Sequence, residues 1–171
     1  MSEALAVEFG IARLAEAPLL AKMSRDYIER GLPWRWQSRE LRRLIQDRES
    51  VVLCARAHPL RRDDADPAGL DASGTVLGFG VMTYALETAH LMLLAVHPQA
   101  RRRGIASRLV EWLEKTAVTA GIHRVELEVR ARNTGARQFY REHGYYERDY
   151  VAGYYSGLES AFRMVGNLRK L

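Results

Sequence analysis

The sequence predicts an α/β chain in which a mixed β-sheet is covered by helices. Three observations carry this expectation. Apolar runs of strand type alternate with segments of helical periodicity along the chain. Consecutive strand runs, Thr75 to Leu86 and Ala89 to Val96, can pair as antiparallel neighbours. The segment from Leu91 to Val129 reads as strand, helix, strand, which requires a right-handed crossover between parallel strands.

Each element has a local reason. Val7 to Leu14 alternates loosely and is expected as a first strand. Glu16 to Arg30 places Leu19, Leu20, Met23 and Tyr27 on one helical face, and Gly31-Leu32-Pro33 stops it. Ser38 is the expected N-cap of a second helix, reaching about Arg48 with Leu41, Leu44 and Ile45 inward. Val51 to Ala57 reads as a short strand. His58 to Gly74 is rich in Asp, Pro and Gly and is expected to be an exposed, mobile loop.

Thr75 to Leu86 and Ala89 to Val96 follow as strands. A helix beginning at Gly104 carries Ile105, Leu109, Leu113 and Ala117 on one face and is capped by Gly121. Arg124 to Arg130 alternates, with Val125, Leu127 and Val129 opposite Glu126, Glu128 and Arg130. Asn133 caps a fourth helix that Gly144 ends. Tyr145 to Ala152 and Ala161 to Asn167 are the expected final strands, around a loop from Gly153 to Ser160. The chain reads as one domain, residues 1–171, without internal repeats.

Composition narrows the function classes. With 47% hydrophobic and 27% charged residues among 171, the chain suits a globular domain with its own core. No apolar run approaches the roughly 18 to 20 residues of a membrane span, so no membrane partner is expected. The first ten residues carry Glu3 and Glu8 and no basic start, unlike a secretory leader. Cys54 is the single cysteine, so no internal disulfide forms, and a cytoplasmic location is expected. The five histidines show no metal-ligand spacing, and no metal is expected. A net charge of +5 suits an anionic cofactor, a ribosome or a nucleic acid, and alone selects none. No helix-turn-helix, zinc or RNA-recognition signature accompanies it, so a nucleic-acid partner is not expected. Oligomeric state is not encoded in any of these features.

The chemistry concentrates between Leu91 and Tyr145. There an apolar strand ends at Val96, and Arg101, Arg102, Arg103 and Gly104 lead into a helix. A helix start presents unpaired N–H groups and the positive end of its dipole, a seat for a phosphate group. The backbone from Arg102 to Ser107, including Ile105 and Ala106, can bind a pyrophosphate, with Gly104 permitting close approach. A solvated basic turn is the bland alternative.

R-R-R-G-I-A, Arg101 to Ala106, fits the pyrophosphate motif [QR]-x-x-G-x-[GA] of the GCN5-related N-acetyltransferase (GNAT) superfamily, which the stretch from Leu91 to Tyr145 resembles. L-E-V-R-A-R-N, Leu127 to Asn133, followed by F-Y-R-E-H-G-Y, Phe139 to Tyr145, is similar to the ribosomal-protein alanine N-acetyltransferases and related protein N-terminal acetyltransferases. The later G-Y-Y, Gly153 to Tyr155, and E-S-A-F-R-M, Glu159 to Met164, resemble their tail. The likeness covers about the C-terminal half of the chain. It implies a mostly antiparallel sheet of six to seven strands flanked by about four helices, with acetyl-CoA as cofactor. It also implies that the strand ending at Leu94, Ala95 and Val96 splays from its neighbour. Unpaired amides there would hold the pantetheine arm, one of them as oxyanion donor. Asn133, by resemblance, also binds the cofactor.

Acetyl transfer needs a neutral amine and an acid for the leaving thiolate. At pH 7 a lysine amine is neutral in well under about a thousandth of molecules and an α-amine in about a tenth, so an N-terminal acceptor needs only a modest base. Glu126 and Glu128 project from the same strand face, and spacing cannot choose between them. The resemblance selects Glu128 as base and Tyr140 as acid. Tyr140 lies seven residues after Asn133, about two helical turns, so both can face one side. The preferred acceptor is a protein or peptide α-amine; a small amine, such as a polyamine or antibiotic, stays open. So does a non-catalytic module binding acyl-CoA or RNA. Glu128 as a surface carboxylate and Tyr140 as a packing side chain are the bland readings. Trp34, Trp36, Tyr154 and Tyr155 can each line an acceptor groove or simply pack. Cys54 is expected in the core.

Overall fold

The computed structural model describes residues 6–58 and 74–168. Seven strands form one sheet: β1 Ala6–Ile11, β2 Ser50–His58, β3 Thr75–Tyr84, β4 Ala89–Val96, β5 Arg124–Arg130, β6 Tyr145–Tyr155 and β7 Glu159–Asn167. Four α-helices accompany them among the described residues: α1 Ala17–Met23, α2 Ser38–Gln46, α3 Ile105–Thr119 and α4 Thr134–Glu142. The order across the sheet is β1-β2-β3-β4-β5-β7-β6, and β4 with β5 is the parallel pair among antiparallel neighbours. The crossover through α3 therefore joins the two parallel strands, as the pattern required.

Side-chain alternation sends each central strand into two cores. On one face α3 and α4 cover Leu53, Met82, Leu91, Val125, Leu127 and Met164. On the other, α1 and α2 cover Val52, Cys54, Phe79, Val81 and Leu93. Helix α3 buries Ile105, Leu109, Val110, Leu113 and Ala117. It lies so close to the sheet that a Cβ on Gly80 would meet Leu113 Cδ1 at 2.8 Å.

Several expected boundaries move. Strand β1 stops at Ile11, not Leu14. The Ala12 amide bonds Val52 O, and Leu14–Glu16 then turns as a 3₁₀ segment with Glu16 accepting the Arg13 amide at 2.7 Å. The expected first helix is α1 followed by a π-helical turn, Ser24–Ile28, closed by Glu29 N–H to Ser24 O at 2.8 Å. Gln37, not Ser38, occupies the N-cap of α2, and the buried Ser38 Oγ has no partner among the described residues. Helix α2 stops at Gln46, because the Asp47 carboxylate accepts from Glu49 N and Ser50 Oγ and turns the chain.

Gly153 to Ser160 is mostly strand rather than loop. Strands β6 and β7 run on to a short turn at Ser156–Leu158, where Ser156 and Gly157 have φ of 55° and 71°. An irregularity between Val151 and Tyr155 absorbs Gly153 within the ladder. The expected mobile loop from His58 to Gly74 falls almost wholly on residues 59–73, outside the described residues. No helix is long and apolar enough to cross a membrane among the described residues.

Candidate active site

Strands β4 and β5 pair only at their starts, Ala89 with Val125 and His90 with Glu126, and then part. A bulge in β4 explains the parting. Val81 pairs with Leu93 and Met82 with Leu91, so Met92 is the extra residue, and the bulge re-aims the strand beyond it. The bulge also switches parity: Leu91 enters the α3 core and Leu93 the α1 core.

Beyond the bulge, the His97 amide bonds Leu77 O at 2.7 Å, and Ala95 pairs with Phe79. Antiparallel alternation then turns the amides of Leu94 and Val96 away from β3, into the opening beside β5, while Ala95 turns its backbone toward β3. The Val96 carbonyl accepts Arg101 Nε at 3.0 Å. The Arg101 guanidinium also lies 5.8 Å from the centre of the Tyr27 ring.

The turn ahead of α3 borders the same opening. Arg102 and Gly104 take left-handed φ of 60° and 75°, and nothing lies within 4 Å of a Cβ built on Gly104. The first helical bond runs from Arg108 N to Gly104 O. The amides of Arg102, Arg103, Gly104, Ile105, Ala106 and Ser107 have no acceptor among the described residues. Arg101, Arg102 and Arg103 are exposed. This row of free donors at a helix start beside three cations fits a pyrophosphate.

Glu128 stands on β5 one alternation past the last paired residue, where the strands have separated. Its side chain is 10% exposed and accepts from His90 Nε2 at 2.5 Å and Arg163 Nε at 3.1 Å. Burial works against its ionisation, but the hydrogen bonds and charges of His90 and Arg163 outweigh burial and hold its carboxyl below the ordinary value. Tyr154 is close enough that burial, followed by the Glu128 charge, raises its phenol.

Glu126 differs. It lies where β4 and β5 are still joined, and Arg124 and Arg148 both hold its Oε1 at 2.9 Å. Tyr140 lies buried on α4, edge-on to Phe139 and Tyr145 at 5.2 and 5.8 Å between ring centres. Burial, then the neighbouring Tyr155, pushes its phenol far up, so it keeps its proton. Asn133 Oδ1 accepts from the Ala136 amide at 3.1 Å as the cap of α4. Asn133 also borders a groove of about 310 Å³ with Tyr27, Ile28, Arg30, Arg130 and Arg132.

The aromatic alternatives divide. Trp36 packs against the α1/α2 core, whereas Trp34 donates Nε1–H to Ala21 O at 3.2 Å and stays partly exposed. Tyr154 is exposed, and Tyr155 lies under the Arg130 guanidinium. Cys54 is fully buried, and burial pushes its thiol up to about 12, so it is inert as a nucleophile.

The model of the Acetyltransferase (GNAT) family matches residues 22–145. The chain belongs to that family. Among curated relatives of this acetyltransferase-family chain, the ribosomal protein bS18-alanine N-acetyltransferase of Salmonella typhimurium is 34% identical over 86 residues. That match covers 50% of this chain and 58% of the relative. An uncharacterized N-acetyltransferase of Methanocaldococcus jannaschii is 32% identical over 96 residues, 56% of this chain and 62% of that one. The matches thus span about three fifths of these relatives' lengths.

The GNAT fold itself is shared end to end with solved structures. Ard1 from Thermoplasma volcanium has a TM-score of 0.78 at 20% identity, over 96% of this chain and 99% of that one. The ribosomal-protein-S18-alanine N-acetyltransferase of Escherichia coli has 0.75 at 20%, over 97% and 96%.

For this family member, sequence reasoning missed His90 and Arg163. Arg163 lay within the quoted E-S-A-F-R-M stretch, but nothing local showed that it meets a carboxylate 35 residues away. His90 had no such signal, because its partner is set by the register of parallel strands 38 residues apart.

Proposed function

We propose that the protein is an acetyl-CoA-dependent N-acetyltransferase whose preferred acceptor is a protein or peptide N-terminal α-amine. The observation that carries this reading is the opening between β4 and β5, with a row of free α3 amides on its rim and a buried, ionised carboxylate on its wall. Acetyl-CoA supplies an activated thioester carbonyl. The amides of Arg102 to Ser107 would hold its pyrophosphate, with Arg101, Arg102 and Arg103 adding charge and Asn133 a further contact. Leu94 and Val96 would offer their N–H groups to the pantetheine arm and the acyl oxygen, whereas Ala95, its backbone turned to β3 and its side chain buried in the α1/α2 core, would offer neither.

Glu128 accepts the proton of the attacking amine, directly or through one water, as a bond forms from nitrogen to the acetyl carbon. A carboxylate held below its ordinary pKa is a weak base, which matches an α-amine better than a lysine. His90, 40% exposed and bonded to Glu128, offers that proton a way to solvent. Tyr140 keeps its proton at Oη for the sulfur as the carbon–sulfur bond breaks.

The curated relative that acts on an alanine N-terminus and the shared fold support an N-terminal acceptor. The single cysteine, buried and unpaired, is in keeping with a reducing, cytoplasmic setting. The decisive experiment incubates the protein with acetyl-CoA, a panel of N-terminal peptides and a panel of small amines, and follows thiol release. Turnover with α-amines is expected. Turnover with small amines alone would overturn the acceptor assignment.

A further inference from the structure

The last residue of β5 is an arginine that the proposed chemistry leaves unused. Arg130 projects from the same strand face as Glu128, and its side chain is 14% exposed. Its Nη2 donates to Ile28 O at 2.7 Å and its Nη1 to Arg30 O at 2.8 Å. The same guanidinium meets the Glu159 carboxylate at 3.3 Å and lies 5.9 Å from the centre of the Tyr155 ring. One planar fork therefore joins segments about 100 residues apart to the hairpin turn between β6 and β7.

Each partner has a reason to accept it. Ile28 and Arg30 carry the carbonyls left at the end of the π-helical turn, where a cation complements the dipole. Tyr155 and Glu159 form the last pair of the β6–β7 ladder before its turn. Arg132 adds a second contact to Glu159. The next residue along, Glu29, is buried and accepts from Ser24 Oγ at 3.0 Å, the Arg35 amide at 2.6 Å and the Trp36 amide at 3.2 Å. The Pro33–Trp36 segment is thereby tied, through Glu29 and its flanking carbonyls, to Arg130. Trp34, Arg35 and Tyr154 remain exposed around this anchor.

We propose that Arg130 is a positioning residue that clamps the α1–α2 loop to the β6–β7 turn and so fixes the width of the acceptor mouth beside Glu128. This deepens the acetyltransferase reading and rests on it. A guanidinium is required because two carbonyls and a carboxylate are met from two separate nitrogens of one rigid, flat group; an ammonium offers its three donors from a single nitrogen on a flexible stem and does not span them. The amides proposed to hold acetyl-CoA lie on α3 and β4, off the clamped segments, and Asn133, which borders the same groove as Arg130, is fixed by its own cap to the Ala136 amide.

The test uses the full chain with Arg130→Met and Arg130→Lys. In Arg130→Met the acceptor-peptide KM should rise by about 10- to 100-fold, the size of a small misplacement at a reacting centre. The acetyl-CoA KM should stay within about twofold. Arg130→Lys should fall between wild type and Arg130→Met. Hydrogen exchange of the Leu32, Arg35 and Trp36 amides, which Glu29 holds, should quicken about tenfold or more in Arg130→Met, because the loop opens locally. An equal rise in both KM values, or unchanged exchange, would overturn the clamp. Should Arg130→Met fail to fold, Arg130→Lys decides by the same two readouts. Absence of transfer to any amine by the wild type would remove the acetyltransferase reading, while the exchange comparison would still decide the clamp.

Discussion

The same face of one sheet is built in two ways. Over β1 to β4 it is dry: α1 and α2 lie on it, and Leu20, Leu41, Val52, Phe79 and Val81 fill the space between. Over β5, β7 and β6 no helix covers it among the described residues, and the outward positions read Glu126, Glu128, Arg130, Arg163 and Asp149. The candidate site lies on the seam where β4 leaves β5. That placement gives a nucleophile a water-poor wall on one side and fixed charges on the other, so electrostatic contacts act in a medium of lowered dielectric.

Changes in the charged half and at the seam should alter chemistry, and changes in the dry half should alter stability. The largest effect is expected at Gly104. Gly104→Glu forces a side chain into left-handed φ and sets a carboxylate against the anion seat. Coenzyme A affinity by calorimetry should fall about 100-fold or more, equivalent to roughly 3 kcal/mol of charge-assisted hydrogen bonding.

Tyr140→Phe should follow. It should lower kcat by about 10- to 1,000-fold with coenzyme A affinity retained, the usual range for a lost general acid. An unchanged kcat would return Tyr140 to a packing role and move the acid elsewhere along the seam.

Glu128→Gln is a milder change with a pH signature. Activity should suffer most at low pH, where the amine is protonated, and a uniform loss at every pH would point to positioning alone. Because the folded state holds this carboxyl below its ordinary value, Glu128 adds stability above its unfolded pKa. That contribution is lost as pH falls through the folded value. Denaturant melts across acid pH should therefore show a steeper loss in wild type than in Glu128→Gln.

Leu41→Ala sharpens the comparison from the dry side and should have the smallest effect on chemistry. Leu41 is fully buried between α2 and the sheet. Its truncation should cost about 2 to 5 kcal/mol in denaturant unfolding. The acetyl-CoA KM should stay unchanged, because the free amides proposed to hold the cofactor are carried by α3, which packs in the other core.

Local chemistry made much of this legible in the chain itself. Strand β5 shows its buried and exposed sides by strict alternation, and the crossover from Ala89 to Arg130 follows from pattern and handedness. The row of free amides ahead of α3 is readable because a strand, a basic turn with Gly104 and an apolar helix are consecutive. Where glycine or serine has two uses, local reading failed. Gly153 reads locally as loop but sits in a ladder irregularity, and Ser38 reads as a cap but follows one.

What the chain determined alone is short-range: which residues form strands and helices, which faces are apolar, and where a row of free amides begins. Only the assembled sheet decided the rest. It parted β4 from β5 at a bulge, set Glu128 rather than Glu126 at the opening, and brought His90, Arg163 and the Ile28 and Arg30 carbonyls to one strand face. The reason is physical. Periodicity tells a side chain which face it takes, whereas strand register and helix docking, summed over both cores, tell it whom it meets.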